Sequence, residues 1–438
     1  MSERQEPRDD LAATPRARAK QKDWFGDFRR RVLEEGEPYV IANAVTPHEI
    51  FHAMDVPVVS TPWYSAVIAA KRLSPHYFDL MDRLGYHDRL PRYMSLPFLT
   101  TLDGDPARAP YGGLPRPAMM VERLRGDYAQ RIFEQWAKAL GAPAFMLDST
   151  ALTALKPRWW EMGWDRWEEL YGTDRLDFQT DQLEALVRFA EVTIGRPFNH
   201  AAFARQMEAV NAVGALVAEA RDLVAKARPC PVSLPEQLTN VMAATWHRGS
   251  QWAIDHMRSY LDELKDRVAG GTGVCADERV RLLWLNNGLW HDTGFYRAFE
   301  ASHGAVFVWS MYTNFLADGY RKAIHGDPMR ALAARHISMN EQLHLPPWMA
   351  DWIVHQARDF GAHGAVMLVP VGDRLSAYGT KLAIMALERA GIPVLEIRAS
   401  MVDARSWDRA RMTATVADFI ETRIDRAKGP EGGTAWAS

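Results

Sequence analysis

Four apolar runs in the last part of the chain constrain its fold more than anything else. They are Val280-Arg281-Leu282-Leu283-Trp284-Leu285, Ala305-Val306-Phe307-Val308, Ala365-Val366-Met367-Leu368-Val369 and Val394-Leu395-Glu396-Ile397. A helical stretch over about 293–302, stopped at Gly304, separates the first pair. Another over about 376–389, closed by Gly391-Ile392-Pro393, separates the last pair. Strands rich in β-branched residues that alternate with helices imply a parallel sheet covered on both faces. Ligands of such sheets bind beyond the carboxyl ends of the strands. Residues 286–292, 310–314 and 370–376 therefore gather around one crevice.

The first half carries a second α/β pattern. Tyr39-Val40-Ile41-Ala42 suits a buried strand, and Thr46-Pro47-His48-Glu49 reads as a helix start. There Thr46 is the cap, Pro47 sits in the first turn and Glu49 closes a capping box. A helix over 128–140, a Gly-Ala-Pro turn and the strand Ala144-Phe145-Met146-Leu147 follow. From 181 to 228 the text turns to long helices. Leu183, Leu186, Val187 and Ala190 recur at helical spacing, as do Phe203, Met207, Val210 and Val213. Arg196-Pro197 parts these helices, and a third over 256–268 stops at Gly270-Gly271.

The expected architecture is two α/β domains with parallel sheets, Rossmann-like or flavodoxin-like, joined by a helical segment. Residues 1–22 form a disordered tail, 23–174 the first α/β domain and 175–270 the helical linker. Residues 271–426 form the second α/β domain and 427–438 another tail. No repeat is visible in the sequence, although the two α/β units suit structural cousins.

With 438 residues and a formal net charge of −3, the chain offers no electrostatic case for nucleic acid or anionic membranes. No apolar run reaches the length of a membrane span. The polar, charged start lacks the apolar core of a signal peptide. Two cysteines and no export signal point to a reducing cytoplasm. Sixteen Trp and nineteen Met serve either core packing or an aromatic-lined cavity.

Several stretches carry a family likeness. Leu285-Asn286-Asn287-Gly288-Leu289-Trp290, Phe295-Tyr296 and Gly304-Ala305-Val306-Phe307-Val308 form the first group. His363-Gly364-Ala365-Val366, Gly391-Ile392-Pro393-Val394-Leu395-Glu396 and Met401-Val402-Asp403-Ala404-Arg405 complete the series. In this order they resemble a core subunit of the benzoyl-CoA reductase and 2-hydroxyacyl-CoA dehydratase family, and most closely the larger core subunit of the ATP-dependent reductase. The likeness runs from about 37 to 425 and is strongest after Arg279.

The resemblance implies coenzyme A thioesters as ligands, dimers of related subunits, and a 4Fe-4S cluster held by three cysteines per subunit. By flanking text those cysteines correspond to Pro91, Asp127 and Asp373. Carboxylates are hard donors ill suited to iron–sulfur chemistry, and proline supplies no donor. Cys230, in Arg228-Pro229-Cys230-Pro231, and Cys275, in a Gly-rich boundary, are not substitutes by position. The expectation is a chain without the cluster and without any cofactor of its own.

Two roles follow. In one, the chain is the clusterless acyl-CoA-binding partner of a cysteine-bearing paralogue. In the other, it acts alone or as a homodimer, as a redox-neutral acyl-CoA hydratase or dehydratase. Asp127, Asp373 and His291 are then the candidate acid–base residues, and Asn287, Trp290 and Tyr312 the candidate substrate contacts. Each has a plainer reading: helix caps for the two aspartates, a solvated loop residue for His291, core packing for the aromatics.

His48-Glu49-Ile50-Phe51-His52 spells the H-E-x-x-H pattern of zinc proteases, but no third ligand follows nearby, and Glu49 already has a capping task. No G-x-x-x-x-G-K-[ST] phosphate loop occurs, so ATP hydrolysis belongs elsewhere; in the family a separate activator protein performs it. Ser376 and Tyr378 read as surface or cap residues.

Overall fold

The computed structural model describes residues 10–87, 90–124, 127–150, 156–340, 343–345, 348–373 and 379–424, with the backbone alone at 127, 128 and 340. Asp127 opens the Asp127–Leu140 helix, and its side chain lies outside the described part, as do the residues of the expected C-terminal tail.

Two four-stranded, all-parallel sheets organise the chain. The first is built from β1 (Val40–Ala42), β2 (Val58–Ser60), β3 (Met119–Arg123) and β4 (Ala144–Leu147), in the order β2-β1-β3-β4. The second comprises β5 (Val280–Leu285), β6 (Ala305–Ser310), β7 (Gly364–Pro370) and β8 (Val394–Ala399), in the order β6-β5-β7-β8. The orders correspond strand for strand, so the two units are structural cousins. Both follow the flavodoxin-like pattern, in which the order reverses beside the first strand.

β5 and β6 are buried along their whole length. That is why they read as unbroken apolar runs rather than alternating ones. The one charge in β5, Arg281, is buried, and its guanidinium donates to the carbonyls of Val224 (2.8 Å) and Ala227 (2.9 Å). Those carbonyls end the His200–Lys226 helix, where orphan acceptors and the helix dipole favour a cation.

Four long helices, Thr173–Ile194, His200–Lys226, Leu234–Trp246 and Gln251–Ala269, lie between the sheets in sequence. Among the described residues no helix is long and apolar enough to cross a membrane.

Three expectations need correction. Residues 13–22, expected within a tail, belong to a helix that spans Ala13–Leu33. Its Ala13, Thr14, Ala17, Phe25 and Phe28 are buried. The carboxylate of Glu236 holds its start by accepting the amides of Asp10 (2.9 Å) and Leu11 (2.9 Å) and the hydroxyl of Thr14 (3.0 Å). The stretch about 293–302 is a 3-10 turn, Thr293–Arg297, and a one-turn helix, Glu300–His303. Tyr296 packs edge-on against Trp284 (4.8 Å) and Phe307 (5.8 Å), an anchoring that outweighs regular helix. Finally, Glu49 closes no capping box: in the His48–Ala53 helix it is a buried ion-pair centre.

Candidate functional site

The carboxyl ends of the two sheets face one another across a partly open cavity holding a void of ≈ 100 Å³. Asn43 enters it from the turn after β1, Asn286 and Asn287 from the turn after β5, and Asp373 from the turn after β7. Met242, Thr245 and Trp246 line it from one face of the Leu234–Trp246 helix, their spacing of three and one placing them side by side. Met311, Tyr312, Phe315 and Met349 add further wall.

The polar edge is built turn by turn. Asn286 sits at φ 72°, in the left-handed region that asparagine tolerates better than most residues. Its amide donates to the carbonyl of Leu368 on β7 (3.0 Å), which fixes the turn and presents Asn287 to the cavity. The Asn287 carbonyl accepts the Trp284 indole N–H (2.8 Å), and its side-chain oxygen accepts the Tyr312 hydroxyl. Trp290 packs edge-on against Tyr312 at 5.2 Å, behind the lining.

Asp373 belongs to the second sheet yet binds a helix of the first unit. Its Oδ2 accepts the backbone N–H of Tyr93 (3.1 Å), in the first turn of the Arg92–Leu102 helix, and the Gly372 carbonyl accepts that of Arg92 (3.0 Å). Gly372 lies at φ 76°, and a Cβ there would stand 2.9 Å from Arg92 Cδ, so glycine permits this approach. Arg92 extends the clasp by donating to Asp403 (2.7 Å). Pro91 occupies the N-cap position of the same helix. Positions 91 and 373, far apart in sequence, thus converge at one helix end, and Asp373 also lines the cavity.

His291 is not among the lining residues. It is buried, its Nε2 donates to the Ser400 carbonyl (3.0 Å), and burial above all pushes its pKa down. A neutral ring turned toward the end of β8 makes no contact with the cavity.

Under the cavity floor lies an ion cluster that the sequence does not announce. Glu49 meets Arg248 Nε at 3.2 Å and Arg335 Nη1 at 2.9 Å, all three fully buried. Burial works to raise the Glu49 pKa, but the Arg248 and Arg335 guanidiniums outweigh it and hold the carboxyl at about 2. Arg248 also binds the Thr46 carbonyl (3.1 Å), and the Tyr320 hydroxyl donates to that of Ala44 (2.8 Å). The cluster therefore fixes the 43–49 turn. His48 Nε2 bonds to the Asn43 carbonyl (2.8 Å), and burial lowers the pKa of both His48 and His52. Among the described residues no group of three His, Cys, Asp or Glu is placed to hold a metal ion, and within the H-E-x-x-H segment Glu49 is held by Arg248 and Arg335.

Among the lining residues that sequence reasoning missed are Asn43 and His344. Asn43 donates to Glu122 (3.1 Å). The Nδ1 of His344 bonds to the Met339 carbonyl, which only accepts, so that nitrogen carries the proton.

Comparison with known proteins agrees with this geometry. The family model for 2-hydroxyglutaryl-CoA dehydratase, D-component, matches residues 43–422. The chain belongs to that family. It is also 21% identical over 436 residues to the (R)-2-hydroxyisocaproyl-CoA dehydratase alpha subunit of Clostridioides difficile, a match covering 98% of each chain. In this dehydratase-family chain, the thiolates that an iron–sulfur cluster needs do not reach the cavity. The chain has only two cysteines. Cys230 is buried with its Sγ on the Val232 carbonyl (3.3 Å) and its backbone paired with Val274. Cys275 bonds to the Glu300 carbonyl (3.0 Å). Both lie near the amino end of β5, whose six residues separate them from the cavity by roughly 20 Å. At the cavity stands Asp373 instead, with Pro91 at the helix end that Asp373 caps, and this donor set does not fit a thiolate-held cluster.

Proposed function

We propose that this chain is the acyl-CoA-binding, clusterless subunit of a two-subunit dehydratase or reductase, and that a cysteine-bearing paralogue supplies the electrons. One observation carries the reading: the cavity stands where both sheets present their carboxyl ends, and neither cysteine of the chain is near it. Family membership and a relative named as an alpha subunit support a thioester ligand and a partner. The chain's own part is then to bind and orient the acyl thioester, with Asn287 and Tyr312 as hydrogen-bonding groups beside an apolar wall. Co-purification with a candidate paralogue tests the pairing. A stable complex with iron on the paralogue alone is expected; no complex with any cysteine-bearing homologue counts against it.

A second reading has its own support, because Asp373 puts a carboxylate in the lining. In this reading the chain performs redox-neutral hydration or dehydration, with Asp373 moving a proton to or from the acyl group and Asp127 as the companion candidate. His291 enters neither scheme as a direct contact. Turnover of an acyl-CoA by the isolated chain, lost in Asp373→Asn, favours this reading over the first.

A further inference from the structure

A recess distinct from the acyl cavity lies at the amino end of β2. Three segments enclose it: the Ala13–Leu33 helix, residues 55–57 leading into β2, and the turn 247–250 between two long helices. It holds a void of ≈ 270 Å³. Lys20 and Trp24 reach it from one face of the first helix, four residues apart. Trp246, which also lines the acyl cavity, and Trp252 complete an aromatic wall. Each of the three indoles is braced by a nearly parallel ring that does not line the recess: Trp24 by Phe28 (5.3 Å), Trp246 by Trp63 (6.0 Å) and Trp252 by His256 (4.7 Å).

Among the described residues the Lys20 ammonium forms no ion pair and stands 5.7 Å from the Trp252 ring. The other cations of the lining are engaged, Arg31 by Glu37 (2.6 Å) and Arg248 by Glu49 (3.2 Å). Asp55 is exposed and lies 4.0 Å from Arg31. His247 is 7% exposed, and its Nε2 has no partner among the described residues; nor has Gln206 Oε1. Gly249, at φ 84°, permits this arrangement, since a Cβ there would collide with that oxygen. Burial above all holds His52 at about 4 and His247 at about 3, so both rings are neutral near pH 7.

A cation without a counter-charge favours an anion, and unpaired buried polar atoms favour a ligand with hydrogen-bonding groups. The aromatic wall favours a flat ring. The void falls just short of the roughly 300 Å³ at which drug-sized pockets begin, which suits one ring with a short substituent. We propose that this recess is a second binding site, separate from the acyl cavity, for a small monocarboxylate built on one flat ring. The carboxylate meets Lys20, and the ring lies against Trp24, Trp246 and Trp252.

The test is calorimetry on the full-length chain with nicotinate, its neutral isostere nicotinamide, and cyclohexanecarboxylate, which keeps the charge without the flat ring. Nicotinate should bind about tenfold tighter than nicotinamide and about fivefold tighter than cyclohexanecarboxylate. No binding of nicotinate, or equal affinity for nicotinate and nicotinamide, overturns the inference. Lys20→Met, at a half-buried helix position, should weaken nicotinate about tenfold and leave nicotinamide unchanged, whereas Lys20→Arg keeps the preference. Unchanged nicotinate affinity in Lys20→Met puts the acid elsewhere and sinks the proposal. If that variant does not fold, Trp252→Leu decides: it should erase the advantage over cyclohexanecarboxylate, and an intact advantage contradicts the assignment. Saturating free coenzyme A should leave nicotinate binding unaltered; displacement would make the recess part of a coenzyme site and rule out a separate one. Failure of this inference leaves the acyl-CoA reading standing.

Discussion

The carboxylate of Asp373 accepts the backbone N–H of Tyr93 at 3.1 Å, joining the turn after β7 to the start of a helix in the other α/β unit. One residue therefore lines the cavity and caps a helix, and substitutions can separate the two tasks. Asparagine caps a helix about as well as aspartate, whereas alanine at a cap costs about 1 kcal/mol. Asp373→Ala should thus lower the urea midpoint measurably, while Asp373→Asn leaves it nearly unchanged. If the carboxylate moves protons, Asp373→Asn loses turnover without losing stability. Equal activity in both variants would leave Asp373 with the capping task alone.

Glu49 should be far less replaceable. Removing it leaves Arg248 and Arg335 buried without their counter-charge, a change that typically costs roughly 3–5 kcal/mol. Glu49→Gln should unfold at markedly lower denaturant, and a midpoint within error of the parent contradicts the assignment. Because its folded pKa of about 2 lies below the ordinary value of 4.5, this contribution is present above pH 4.5 and is lost as pH falls toward 2.

Histidines set an earlier acid limit. Burial, the largest cause in each case, holds His52 and His256 at about 4 and His247 and His336 at about 3, against 6.5 ordinarily. Below pH 6.5 the unfolded chain takes up protons that the folded chain refuses, so stability falls as pH drops from 6.5 toward 4. The urea midpoint should decline between pH 7 and pH 5. His336 has no hydrogen-bond partner on either ring nitrogen among the described residues, so His336→Leu should make that decline shallower. A midpoint that stays flat from pH 7 to pH 5 rules the account out.

The N-terminal helix gives a simpler test. Deleting residues 1–22 removes the buried Ala13, Thr14 and Ala17 and strips Glu236 of three donors. The melting temperature should fall by about 1–2 °C, as a loss of about 1–2 kcal/mol implies for a chain of this size. An unchanged melting temperature would mean the segment contributes nothing.

What the sequence disclosed followed from side-chain chemistry. β5 to β8 were readable because full burial leaves unbroken apolar runs. β3 was not, since Met119-Met120-Val121-Glu122-Arg123 mixes methionine with two charges that are nonetheless buried. The first helix hid its buried stripe beneath a charged surface, and Glu49 looked like a cap because its guanidinium partners lie 199 and 286 residues away. At the cavity, Asn287 and Tyr312 came from the rule that ligands bind at the carboxyl ends of parallel strands, and Asp373 from the family likeness. The same rule covers His291, yet the direction in which a loop side chain turns is decided by local bonds, here to Ser400. His344 and Asn43 carried no local signal.

Tyr312 reports on the polar edge. Tyr312→Phe removes the hydroxyl bonded to Asn287, a contact worth about 1 kcal/mol, and should weaken acyl-CoA binding about fivefold with little loss of stability. Unaltered affinity would place the thioester elsewhere.

Iron content decides the central claim most directly. The chain is purified alone without oxygen, incubated with ferrous iron and sulfide, desalted, and assayed for iron, acid-labile sulfide and visible absorbance. With Asp373 at the cavity, Pro91 at the helix end beside it and both cysteines near the amino end of β5, the expected result is no stoichiometric iron and no broad charge-transfer band. About four irons and four sulfides per chain, with that band, would show a bound cluster and contradict the account.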